Sequence, residues 1–204
     1  MNIGVSSGGR ELKNTTHNLC NYIVTGSGRV GGHLLKGIIL TTGNTAEHNH
    51  DPVPDINSIL CISDRRNVFD AVMSNLLVKQ TDQTFEYHKD VDPFTASLKD
   101  FKILLSQHLN FYKNISTQGY KEVYYFYFED FVTNPECVYN KLGILPVNSK
   151  NVTMVAEPFL NAKCPYQYKD KILNWHELYD FFLKQNLGTT CINTLSKDSN
   201  KTWQ

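Results

Sequence analysis

With 204 residues, 41% of them hydrophobic and 12% aromatic, the chain is long enough to bury one α/β core and too apolar to stay unfolded. Twenty basic and twenty acidic residues cancel, so global charge gives no basis for nucleic-acid or membrane binding, and any anion site must be local. Five cysteines (Cys20, Cys61, Cys137, Cys164, Cys191), odd in number and without CxxC spacing, argue against a disulfide framework and a zinc site and fit a reducing cytoplasm.

Residues 1–19 are polar, lack an apolar run of signal-peptide length, and are expected to be an extended or poorly ordered N-terminal segment of a single domain spanning 1–204. The Asn-x-Ser/Thr sequons at Asn14, Asn114, Asn151 and Asn200 are read as chance. Asn21–Thr25 is short and β-branched and reads as a buried first strand, followed by a glycine turn over 26–32. A helix is expected from Gly32, with Leu34, Leu35, Ile38 and Ile39 on one face, stopping at Thr42-Gly43. Residues 44–57 are polar, contain two prolines, and read as a loop. Ser58–Ser63 is a second buried strand, and a helix follows from Asn67 with Val68, Phe69, Ala71, Val72 and Leu76 as its stripe. Helical periodicity returns over 94–117 through Phe101, Leu104, Leu105 and Leu109. Val123–Phe128 reads as an aromatic strand, Pro135–Leu142 as a helix capped by Asn134, and 175–185 as a last helix. Strands alternating with helices predict an α/β fold, a mainly parallel sheet of four or five strands covered by helices.

A glycine loop between a strand and a helix is a phosphate-binding arrangement, because backbone N–H groups and the helix N-terminus converge on an anion. Arg29 adds a full charge and a planar donor fork. Gly26-Ser27-Gly28-Arg29-Val30-Gly31 also matches the GxGxxG dinucleotide fingerprint, which would make the chain an NAD(P)-dependent oxidoreductase or a regulatory module. That reading requires an acidic residue ending the next strand. Asp64 comes too late for this role, and Glu47 falls in the expected loop. No Lys-Ser/Thr pair follows the glycines, which sets NTPases aside.

Four stretches, in order, carry a resemblance. Arg29-Val30-Gly31-Gly32-His33-Leu34-Leu35 is similar to a 5′-phosphosulfate loop. Arg66, followed by Ser74 on the next helix, is similar to a 3′-phosphate motif. Tyr127–Glu136 and the pieces 163–165 and 174–178 resemble later segments of the same family. That family is the sulfotransferases, in their bacterial and phage form. The resemblance covers roughly residues 20–80 and 121–180, with Val30, Gly32 and His33 standing where family members carry other loop residues, mostly hydroxyls, and Phe128 where many carry a Tyr.

The resemblance implies transfer of a sulfuryl group from 3′-phosphoadenosine-5′-phosphosulfate to a hydroxyl or amine of a small molecule, glycan or peptide, leaving 3′,5′-bisphosphoadenosine. Arg29, Val30, Gly31, Gly32, His33 and Leu34 would hold the 5′ end, and Arg66 and Ser74 the 3′-phosphate. The general base would come from the loop after the first helix, in the order Glu47, His48, His50. No metal is implied. A member that keeps the site without the chemistry, acting as a binding protein, is the third reading.

Overall fold

Tyr22 and Val24 pack on one side of the first strand and Ile23 on the other, and Ile59 and Cys61 alternate with Leu60 and Ile62 in the same way. Both faces of these strands therefore need cover, which is the pattern of a parallel sheet between helices. The computed structural model describes residues 20–81, 92–148, 150–151, 154 and 168–185. The expectations for 1–19, 163–165, Cys164 and Cys191 lie outside them.

Four strands, β1 (Asn21–Thr25), β2 (Thr45–His48), β3 (Ser58–Asp64) and β4 (Glu122–Tyr127), form one all-parallel sheet in the order β2-β1-β3-β4. The helices are α1 (Gly32–Leu40), α2 (Val68–Thr81), α3 (Leu98–Asn114), α4 (Phe128–Thr133), α5 (Glu136–Leu142) and α6 (Trp175–Leu183), with a 3₁₀ turn at Tyr168–Asp170. Leu34, Leu35, Ile38 and Ile39 of α1 cover one face of the sheet together with Phe131 and Val138. Tyr112 of α3 covers the other face with Tyr120. A separate apolar cluster joins α2, α3 and α6 around Phe69, Phe101 and Leu178.

The α/β expectation holds, and the central strands fall where their β-branched runs lie. One element differs. Residues 44–57, expected to be a loop, contain β2. It is four residues long, at the sheet edge, with alternating exposed and half-buried positions, so it lacks the apolar run that marks a buried strand. The fourth strand ends at Tyr127, because Phe128 already begins α4. No helix among the described residues is long and apolar enough to cross a membrane.

In this strand order the chain leaves β1 toward β2 and later returns to the other side of β1 as β3. The loops at the carboxyl ends of β1 and β3 therefore part, and open α/β sheets bind their ligands in the crevice formed there.

Candidate functional site

The loop from Gly26 to Gly31 lies at that crevice, and its glycines have separate reasons to be small. A Cβ on Gly26 would meet the Ser63 carbonyl oxygen at 2.7 Å, so the turn passes against the end of β3. A Cβ on Gly32 would run into the His48 ring. Gly28 and Gly31 have φ of 82° and 80°, and Arg29, at 55°, is the one non-glycine residue with positive φ among the described residues. A side chain in that region is uncommon and costs free energy, so its presence calls for a reason.

Arg29 Nε donates to Ser74 Oγ at 3.1 Å, and Ser63 Oγ donates to the Val30 carbonyl. These two bonds tie the loop to α2 and β3. The resulting cavity of about 220 Å³ is lined by Arg29, Arg65, His33, His48, His50 and Phe128, among others, and by no carboxylate among the described residues. Gly28, Val30, Gly31, Gly32 and Leu34 also contribute to its wall.

The three imidazoles form a cluster. His33 and His48 rings lie 4.3 Å apart and His48 and His50 rings 4.5 Å apart, the second pair edge to face. His50 Nδ1 is 2.8 Å from the Gly26 carbonyl oxygen, which can only accept, so Nδ1 carries the proton and Nε2 is the basic atom. Burial, followed by the neighbouring His33 and His50, pushes His48 down to about 3, and burial followed by Lys36 lowers His33. A neutral His48 has a consequence for stability. In the unfolded chain it titrates near 6.5 and takes up a proton that the fold refuses until about 3. Stability should fall as pH drops below 6.5, and His48→Gln should flatten that loss in urea titrations at pH 7.5 and 5.5.

The expected site residues divide. Arg29 and Ser74 meet, and His33, His48 and His50 meet at the cavity. Glu47 is exposed and is not among the lining residues, because it alternates with His48 along β2. Arg66 is on the surface, in a two-pronged pair with Asp130 at 2.7 Å on both arms, with its Cζ 4.4 Å from the Tyr127 ring centroid. The neighbouring Arg65 lines the cavity instead, its guanidinium 4.3 Å from the Phe128 ring centroid. Arg65 was available to sequence reading as the first residue after β3, at the carboxyl edge of a central strand.

A second polar group, which the sequence reading missed, lies on the α3 side of the same loop. Ser27 Oγ is 2.5 Å from His108 Nδ1, His108 Nε2 is 3.5 Å from Asp64 Oδ1, and Tyr112 donates to the Ser63 carbonyl at 2.6 Å. His108 occupies the apolar stripe of α3 between Leu105 and Tyr112, and a polar residue in such a stripe was a legible signal.

Comparison with protein-family models, curated proteins and solved structures finds no match. The site therefore stands on its own geometry. Among the described residues, no group of three or more His, Cys, Asp or Glu side chains is placed to hold a metal ion.

Proposed function

We propose that the chain is a sulfotransferase-like enzyme that binds 3′-phosphoadenosine-5′-phosphosulfate in the β1/β3 crevice and transfers its sulfuryl group to a hydroxyl or amine. The observation that carries this reading is the cavity wall, which among the described residues has two guanidiniums, three imidazoles and no carboxylate, with the N-terminus of α1 at one side. Such a wall suits a ligand carrying several negative charges. The donor, when bound, supplies an activated sulfuryl group on a good leaving phosphate.

The residues of the chain then act around it. Arg29, oriented by Ser74, meets the charge that develops on the leaving oxygen. Arg65 supplies the second cation. His50, its tautomer set by Gly26, accepts the acceptor's proton at Nε2, a role its place in the wall supports better than that of Glu47, which does not line it.

One observation favours a second reading. β1, α1 and β2 form a parallel βαβ unit around GxGxxG, and β2 carries Glu47, so the missing strand no longer counts against a dinucleotide. Against it, His48 and His50 line the cavity at the end of β2, where a ribose would need a carboxylate. Calorimetric titration with 3′,5′-bisphosphoadenosine, NAD and NADP separates the readings. The bisphosphate alone should bind, and Arg65→Ala should weaken it by about 1.5–3 kcal/mol, the worth of a charge-assisted hydrogen bond. Arg66→Ala, which breaks an exposed pair, should change it little. Binding of a dinucleotide alone would overturn the sulfotransferase reading. Binding of neither, or of the bisphosphate with no transfer to any acceptor, would leave the site without its chemistry.

A further inference from the structure

The cluster of Ser27, His108 and Asp64 has no part in the anion chemistry, and its order is that of a nucleophile, a base and an orienting acid. We propose that Ser27 is the nucleophile of an acyl-transfer site, with His108 as its general base and Asp64 holding the imidazole, acting on carboxylic esters or thioesters with water as final acceptor.

Ser27 sits on the sharp turn between the end of β1 and the start of α1, flanked by Gly26 and Gly28, and the close pass at Ser63 leaves no room for a Cβ on Gly26. A tight strand-to-helix turn at the carboxyl edge of a parallel sheet is a setting that presents a serine hydroxyl outward. Ser27 is half-buried, whereas His108 and Asp64 are 1% and 0% exposed. Asp64 Oδ1, 3.5 Å from Nε2 without hydrogen-bonding it, favours a proton on that nitrogen, and Nδ1, 2.5 Å from Ser27 Oγ, can then accept from the hydroxyl.

A structural latch between the loop and α3 would need only the Ser27–His108 bond. Asp64 adds a carboxylate at the end of a fully buried strand, and among the described residues neither its Oδ2 nor His108 Nε2, both buried, has a hydrogen-bond partner. A buried oxygen left unsatisfied is costly, and in native proteins it calls for an explanation beyond packing.

In the step itself the Ser27 O–H bond breaks, its proton passes to His108 Nδ1, and Oγ bonds the acyl carbon. The ester C–O bond then breaks and the leaving oxygen takes the proton from His108. Water repeats the sequence to release the acid.

Burial pushes the Asp64 carboxyl up to about 7 and lowers His108 to about 4. The other titratable groups facing this pair are Tyr112 from α3, Arg65 beside Asp64, Tyr127 at the end of β4 and Glu129 from α4. As pH falls through about 7, Asp64 takes a proton and can donate to Nε2, which leaves Nδ1 protonated and Ser27 without a base.

The test is labelling of the whole protein with a fluorophosphonate probe, read by peptide mass spectrometry. Here the Ser27 Oγ–P bond forms as fluoride leaves. The adduct should appear on Ser27 and vanish in Ser27→Ala. Its rate should drop at least about 100-fold in His108→Gln, and should fall as pH drops through about 7 in the wild type but not in Asp64→Asn. Labelling of Ser27 no faster than that of exposed Ser106 would overturn the proposal. Ser27→Cys provides a second measurement: its alkylation by iodoacetamide at pH 7.5, above the Asp64 transition, should be much faster than in Ser27→Cys/His108→Gln, and equal rates would also overturn it.

Discussion

Arg29→Ala should lower sulfuryl-transfer turnover by about a hundredfold to a thousandfold, the usual worth of one preorganised donor at developing charge. Binding of 3′,5′-bisphosphoadenosine should weaken much less. Charge on the leaving oxygen grows mainly in the transition state, so an interaction with it acts differentially rather than uniformly. The backbone gives a control. Arg29 has φ of 55°, a conformation that alanine tolerates no better than arginine and that glycine adopts at little cost. Arg29→Gly should therefore lose turnover as Arg29→Ala does, while unfolding at a higher temperature. A side chain kept at a strained position for its chemistry behaves in that way. Equal loss of turnover and of product binding in Arg29→Ala would mean that the guanidinium only holds the nucleotide. In the same assay His50→Gln should be slow and Glu47→Gln silent; the reverse would move the base to β2's exposed face.

Gly31→Ala should destabilise the fold by about 2–5 kcal/mol, and lower the melting temperature on the order of 10 °C for a chain of this size. Two costs combine. Gly31 has φ of 80°, and a Cβ there would drive into the Phe128 ring and approach Phe131 Cζ at 2.9 Å. Phe131 is fully buried in the sheet core, so it has nowhere to move. Gly143→Ala separates the two costs, because Gly143 has φ of 64° with nothing within 4 Å of the added carbon. It should show the backbone cost alone, about 1–2 kcal/mol. If both variants unfold at the same temperature, the contact between the loop and α4 is looser than these distances imply.

The central strands were legible because burial on both faces writes a continuous apolar run, as in Ile59–Ile62. β2 was not legible, since an edge strand reading Thr-Ala-Glu-His alternates only weakly, and this hid the orientation of its residues. Once β2 is a strand, Glu47 and His48 must point to opposite faces, which a loop does not dictate. The different placement of Arg65 and Arg66 was not legible for a related reason. A motif spacing takes either of two adjacent arginines, whereas the direction of β3 as it ends sends one to the cavity and the other to Asp130. Ser27 and His108 are 81 positions apart, so their pairing follows from how α3 lies on the sheet and from no local pattern.

Every residue of β3 is buried, and β1 is buried after its first residue, with hydrogen-bonded neighbours on both sides of each strand. Their amide protons should exchange with deuterium only when the whole domain opens, whereas those of edge strand β2 exchange through local fraying. Any molecule that binds the native crevice raises the free energy of that global opening by RT ln(1 + [L]/Kd), whatever reaction follows. Deuterium uptake of the peptides covering β1 and β3 is thus a screen for ligands of this protein that presupposes neither a donor nor an acceptor.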